Sequence, residues 1–261
     1  MEKKYYEEYY TLERTNWWFK VRNCILMERI KTIAGGRNDL KILNIGAGTG
    51  RTTELLQAFG EVTSVEYDAY CVAFTRDKLP FEIKQGSILA LPFADQSFDM
   101  VCAFDVIEHV ENDGLAVREM KRVCRNGGNV IVSVPAFQFL WSHHDVINHH
   151  HRRYTLKGLQ KVFDNNHVAN RPQGKIVYST YFNTLLFPPV AAFRLIAEWL
   201  PQKLIRRGTG ADNHVIPQGS PLNRLLELIF SIERPLLRRG VHLPFGVSAM
   251  LVYKMENASV R

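Results

Sequence analysis

Short, largely apolar runs recur along the first half of the chain: Leu40–Ile45, Val62–Val65, Asp99–Phe104 and Asn129–Val134. Runs of this length, bounded by glycine, proline and charge, predict strands buried on both faces of a parallel sheet. Lys175–Tyr181 and Ser248–Lys254 predict a sixth and a seventh strand, the former alternating and β-rich. Between the runs the apolar spacing turns helical. Arg51–Phe59 predicts a helix. Arg118–Gly128 predicts one that ends on a glycine stop, and the helix starting after Thr155 takes that threonine as its N-cap. Glu2–Ile33 is helical in pattern, with aromatics gathered in Thr15–Arg22 ahead of the apolar stretch Cys24–Ile33. Strands alternating with helices predict an α/β fold.

The stretch between the last two strands is far longer than a hairpin connection. Within it Val190–Leu200 and Leu222–Leu237 carry helical spacing, and Leu222, Leu225, Leu226, Ile229, Ile232 and Leu236 fall on one predicted face. Pro188, Pro189, Pro201 and Pro235 interrupt the pieces, Gly208–Ser220 is a polar loop, and Lys203, Arg206, Arg207, Arg224, Arg234, Arg238 and Arg239 flank the helices. Two uses fit this pattern. One is a helical cap packed on the sheet, or a homodimer interface. The other is a lid that meets a membrane surface or a lipid tail. The expected organisation is therefore an N-terminal helical cover (residues 1–38), a core (39–182 and 247–261) and a helical insertion (183–246).

The first strand breaks into Asn44-Ile45-Gly46-Ala47-Gly48-Thr49-Gly50, with glycines at alternate positions. Glycine lets the backbone turn sharply and lets a ligand approach with no Cβ in the way. Glu66 ends the next strand, about 20 residues after Gly46, the separation at which a carboxylate can accept from a ribose. The G-x-G-x-G spacing departs from the G-x-G-x-x-G of dinucleotide sites, which argues against a nicotinamide oxidoreductase.

Asn44–Gly50 resembles the first motif of class I S-adenosylmethionine-dependent methyltransferases. Leu91-Pro92-Phe93-Ala94-Asp95-Gln96-Ser97-Phe98-Asp99, with Glu108-His109-Val110, resembles the "LPF-x-D-x-SFD … EHV" landmarks of the small-molecule branch. Arg122–Gly128 resembles "RVLKPGG", with Arg-Asn-Gly-Gly in place of Lys-Pro-Gly-Gly. The resemblance covers roughly residues 40–136. It implies a Rossmann-like seven-stranded sheet whose seventh strand runs antiparallel beside the sixth. It also implies S-adenosyl-L-methionine as cofactor, with S-adenosyl-L-homocysteine as product. By the same resemblance Gly46, Ala47, Gly48 and Gly50 border the methionine tail and ribose, and Glu66 holds the ribose hydroxyls. Tyr67 lies against the adenine, Ser87 and Ile88 take the adenine edge, and Asp105 and Val106 flank the methionine moiety. Arg22 is either a surface charge or a partner for the cofactor carboxylate. Ser87 stands where many relatives have aspartate, and Asn44 where many have an acid.

Methyl transfer is an in-line displacement at a sulfonium carbon, so the protein mainly aligns the partners and, for a hydroxyl, removes a proton. Two clusters offer groups for this. Asp105-x-x-Glu108-His109 follows the fourth strand, and Trp141–Tyr154, rich in histidine, follows the fifth. His109 is one candidate base. His144, oriented by Asp145, is another. Trp141, Arg153 and Tyr154 are candidates for binding the acceptor, an anionic one in the case of Arg153. Asp-x-x-Glu-His also resembles the Glu-x-x-Glu-His element of ubiquinone-pathway and small-RNA 2′-O-methyltransferases, in which a divalent metal is implicated. Glu108, His109 and one later histidine would then be ligands. The first acid differs here, and no metal is assigned.

A net charge of +7 over 261 residues permits nucleic acid, anionic lipid or acidic partners. No RNA-binding module or basic-aromatic platform accompanies it, so nucleic acid is not the expected partner. Four scattered cysteines without a C-x-x-C pair, and no secretory signal, lead to the expectation of a cytoplasmic protein with an option of peripheral membrane association. The expected activity is methylation, at oxygen in preference to nitrogen or carbon, of a small-molecule or lipid-linked, glycan-like acceptor. The alternatives are an RNA methyltransferase and a non-catalytic scaffold with this fold.

Overall fold

The computed structural model describes residues 3–169, 173–197, 217 and 219–256. A seven-stranded sheet runs in the order β3-β2-β1-β4-β5-β7-β6. Its strands are β1 (Leu40–Ile45), β2 (Gly60–Glu66), β3 (Ile83–Gln85), β4 (Phe98–Phe104), β5 (Cys124–Pro135), β6 (Lys175–Phe182) and β7 (Ser248–Lys254). The first five are parallel; β7 lies antiparallel between β5 and β6. Strand order reverses at β1, which pairs with β2 on one side and β4 on the other, so the carboxyl ends of these three strands open a crevice.

The helices are α1 (Lys3–Thr15), α2 (Trp17–Ala34), α3 (Arg51–Leu56), α4 (Ala69–Arg76), α5 (Asp113–Val123), α6 (His143–Ile147), α7 (Leu156–Asn165) and α8 (Phe187–Ala197), followed by two helices, Pro221–Ser231 and Arg234–Arg238. One face of the sheet packs on α5 and α7 through Val101, Ala103, Val130, Val132, Met120 and Phe163. The other packs on α2 through Ile25, Leu26, Ile30, Met100, Ile131 and Met250. Thus α2 is a full layer of the core, and α1 lies over the crevice.

The helix expected over Arg118–Gly128 is displaced. It runs from Asp113, capped by the Asn112 side chain, and stops at Val123. Cys124 is fully buried and already pairs with Phe98. Gly127 (φ 74°) and Gly128 lie inside the irregular start of β5. A Cβ on Gly128 would stand 2.7 Å from the Asp99 carbonyl oxygen. These glycines allow two strands to pass closely; they do not end the helix.

The insertion docks on α2. Phe230 is buried between Trp17 and Phe182, at ring distances of 6.1 and 6.4 Å. The Trp17 backbone N–H donates to Asn223 Oδ1 at 3.4 Å, and Lys20 pairs with Glu227 at 2.7 Å. The side of this helix that is buried is therefore Asn223 and Phe230, with Leu226 and Ile229 half-buried beside them, offset from the predicted one. Leu222, Leu225, Ile232 and Leu236 of the predicted face remain exposed, as do Leu228 and, on α8, Phe193, Leu195 and Ile196. The offset follows from Asn223, a polar residue that the hydrophobic pattern skips but that α2 draws inward. The end of Val190–Leu200, most of Gly208–Ser220, and Pro201, Lys203, Arg206 and Arg207 lie outside the described residues. No helix among the described residues is long and apolar enough to cross a membrane.

Candidate active site

The glycine turn closes the carboxyl end of β1. Gly46, Gly48 and Gly50 all have positive φ (68°, 53° and 91°). Their reasons for being glycine differ. A Cβ on Gly46 would meet Val106 Cγ2 at 2.4 Å, and one on Gly50 would meet Leu79 Cδ1 at 2.4 Å, so both are also fixed by packing. At Gly48 a Cβ would meet only ordinary contacts, Glu13 Oε1 at 3.6 Å and Tyr9 at 3.7 Å, so the positive φ and not packing calls for glycine there. Glu66, at the end of β2, turns its carboxylate back onto the turn. Its oxygens accept from the Gly48 and Asp68 backbone N–H groups, each at 3.0 Å. A carboxylate has about four acceptor positions, so room for a further donor remains on each oxygen. Tyr67, next in sequence, is 76% exposed at the rim. Ser87 accepts from Leu89 N–H at 3.2 Å, and Ile88 is buried in the core beside it. Asn44 is buried under the turn, donating to the Thr52 and Thr53 hydroxyls at 3.0 and 2.9 Å.

Helix α1 lies across this mouth. Tyr6 donates to Asp68 at 2.5 Å, Thr49 donates to Glu13, and Arg14 pairs with Glu54. Glu13 is buried, and desolvation pushes its pKa up to about 7 despite the Thr49 hydrogen bond and the charges of Arg22 and Arg14.

Asp105 follows β4 in a left-handed conformation (φ 56°) that few residues other than glycine and Asn/Asp adopt, and its N–H donates to the Ser133 carbonyl at 2.8 Å. Its carboxylate pairs with Arg22 and accepts from the Ser133 hydroxyl at 3.2 Å. Arg22 is 5% exposed, so the surface-charge alternative does not hold. Asp105 occupies one of its guanidinium nitrogens and Asn23 another.

The loops after β4 and β5 meet, as their adjacency in the sheet requires. His151 N–H donates to the Glu108 carbonyl at 2.7 Å, and the His109 and His150 rings stand edge to face at 4.5 Å. Glu108 is completely buried, and neither carboxylate oxygen has a hydrogen-bond partner. Burial, then the nearby Asp105 charge, raises its pKa well above the carboxylate range. His109 keeps an exposed edge but stands deep among protein atoms; desolvation, then His150, pushes its pKa down to about 4.

The expected pairing of His144 with Asp145 is not formed. Asp145 is buried and accepts from His150 Nδ1 at 2.8 Å, and from Arg153 Nε and Nη2 at 2.8 and 3.0 Å. Burial alone would raise its pKa; the His150 hydrogen bond and the Arg153 charge hold it well below the usual range. His144 bonds to Asn148. Spacing of one residue points a helical pair in different directions, and Asp145 is drawn instead into a capping box at Ser142. Arg153, spent on Asp145, is not free to bind an anion. Tyr154 is also buried, donating to Asp113 at 2.9 Å and to the Ile107 carbonyl at 3.3 Å. Both residues hold the loop. Trp141 remains half-exposed two residues after Phe139, which is 50% exposed and belongs to an aromatic group with Phe137, Phe187 and Phe245. Glu13 and Ser133 were absent from the expected site, and His150 stood in it only as one of several later histidines, because nothing in local spacing announces contacts made across the fold.

A family model described as "Methyltransferase domain" matches residues 43–132. The chain is 34% identical over 126 residues to the Mycobacterium tuberculosis protein named "Probable S-adenosylmethionine-dependent methyltransferase Rv3030", covering 48% of this chain and 44% of that one. It is 32% identical over 105 residues to a phosphatidylethanolamine N-methyltransferase of Cereibacter sphaeroides, covering 38% and 50%. The chain thus spans about half the length, or less, of these curated relatives. The fold matches that of an S-adenosylmethionine-dependent methyltransferase of Thermotoga maritima with a TM-score of 0.54 at 15% identity, over 97% of this chain and 96% of that one. The domain match spans the glycine turn, Glu66 and Asp105, and the fold around it is shared with the solved methyltransferase: over these residues the chain is similar to class I S-adenosylmethionine-dependent methyltransferases.

Proposed function

We propose that this protein transfers the methyl group of S-adenosyl-L-methionine to an oxygen of a small-molecule or lipid-linked acceptor. The observation that carries the cofactor half is the Glu66 carboxylate turned back onto the Gly48 N–H of the glycine turn. A Cβ-free turn admits a ribose and amino-acid tail, and the free lone pairs of Glu66 suit vicinal hydroxyls. Ala47 and Gly46 border the tail, Tyr67 covers the adenine from the rim, Ser87 and Ile88 line its edge, and Asp105 with Val106 flanks the methionine end. Arg22 acts through Asp105, holding that carboxylate in place.

The cofactor supplies a methyl group on positive sulfur. The chain aligns the acceptor with it and accepts or relays the acceptor's proton. The cluster of Glu108, His109 and His150 supports an acceptor that needs activating, which a hydroxyl does and a neutral amine does not. The aromatic group around Phe137 and the exposed apolar residues of α8 support an acceptor with an apolar part. The Cereibacter relative is named for a membrane phospholipid, which supports the lipid-linked class. Incubation with methyl-labelled cofactor and separate panels of phenols, lipid-linked sugars and phosphatidylethanolamine tests the reading. Label is expected as an ether on the phenol or lipid-linked sugar; label found only on the amine would contradict oxygen transfer.

A further inference from the structure

We propose that Glu108, His109 and His150 form a binding site for a divalent first-row transition metal, at the edge of the crevice beside Asp105. The proposal deepens the methyl-transfer reading and rests on it only for the site's use. One ligand atom from each of the three residues lies within 4.8 Å of the other two. Donors around a cation at about 2.1 Å stand about 3–4 Å apart, so the three atoms need draw together by no more than about 2 Å.

Two independent observations point to a cation. Glu108 is 0% exposed, and neither of its oxygens is hydrogen-bonded. A buried carboxyl left bare is costly, more so when charged, and a cation would satisfy it. His150, secondly, is oriented as metal-bound histidines are. Its Nδ1 donates to Asp145, which Arg153 and the Ser142 backbone fix, and this leaves Nε2 as the ligand nitrogen. Its side chain is 8% exposed, so the ring has little freedom to turn elsewhere. Two imidazoles and one carboxylate select manganese, iron, cobalt or zinc over magnesium or calcium, which prefer oxygen donors.

The probe is Co2+, added to protein stripped with chelator. One equivalent is expected to bring up visible absorption of a nitrogen- and oxygen-ligated ion. Affinity should fall about tenfold or more in Glu108→Gln, His150→Ala and His109→Gln. His109 has an exposed edge and its substitution endangers folding least; circular dichroism checks all three variants. His167→Ala, an exposed histidine elsewhere, should titrate like the wild type. Absence of the band in the wild type, or its persistence in the folded variants, would overturn the site. Cofactor binding measured in chelator separates the two readings. Cofactor bound with no Co2+ site would overturn only the metal, and Co2+ bound with no cofactor site would overturn only methyl transfer.

Discussion

At the scale of single residues, the placement of the glycine turn and Glu66 was legible because it is local: a strand end, a positive-φ turn and an acid at the next strand end. Glu13 was not, since it is 36 residues from the Thr49 that bonds it. Its burial has a measurable consequence. Its pKa in the fold is about 7 against 4.5 for the free side chain, so the folded state favours the protonated form. The associated stability is complete below pH 4.5 and lost as pH rises through 7. Glu13→Gln, which keeps the shape without the charge, should match the wild type near pH 4.5 and exceed it at pH 8 by on the order of 2–3 kcal/mol. Urea unfolding at the two pH values checks this; an offset that does not change with pH would contradict it. His144 and Asp145 carry the opposite lesson. Adjacency in sequence suggested a dyad, but the buried carboxylate pairs with the Arg153 guanidinium and His150, both farther along the chain.

At the scale of elements, strands and their order of burial were readable because continuous apolar runs have few other uses. Helix limits and faces were less so. Cys124 leaves α5 because the sheet needs it opposite Phe98, and the Pro221–Ser231 helix turns Asn223 and Phe230 inward because α2 offers them a donor and an aromatic ring. The two sides of that helix should respond very differently to truncation. Phe230→Ala, 1% exposed between Trp17 and Phe182, should lower stability by about 3–5 kcal/mol. Leu228→Ala, 64% exposed, should change it by no more than about 0.5 kcal/mol. Chemical denaturation of both variants distinguishes this packing from the predicted face, under which positions such as Leu222 and Leu225 would carry the burial.

At the scale of the whole molecule, the reversal of strand order at β1 gathers the ends of three strands, and β5 beside β4 adds a fourth loop. Every group in the candidate site stands on one of those ends or on α1 and α2 above them. The arrangement explains why residues as distant as Glu13, Glu66, Asp105 and His150 belong to one crevice, and why only part of it could be foreseen. Motifs mark the strand ends, but the contacts among the loops arise when the sheet forms. The central claim is that this crevice holds S-adenosyl-L-methionine through Glu66 and the glycine turn. Calorimetric titration of the folded protein and of Glu66→Ala with S-adenosyl-L-methionine and S-adenosyl-L-homocysteine tests it most directly. Micromolar binding of both by the wild type, weakened about tenfold or more in Glu66→Ala through loss of charge-assisted hydrogen bonds, is predicted. No binding by the folded wild type, or equal binding by the variant, would contradict it.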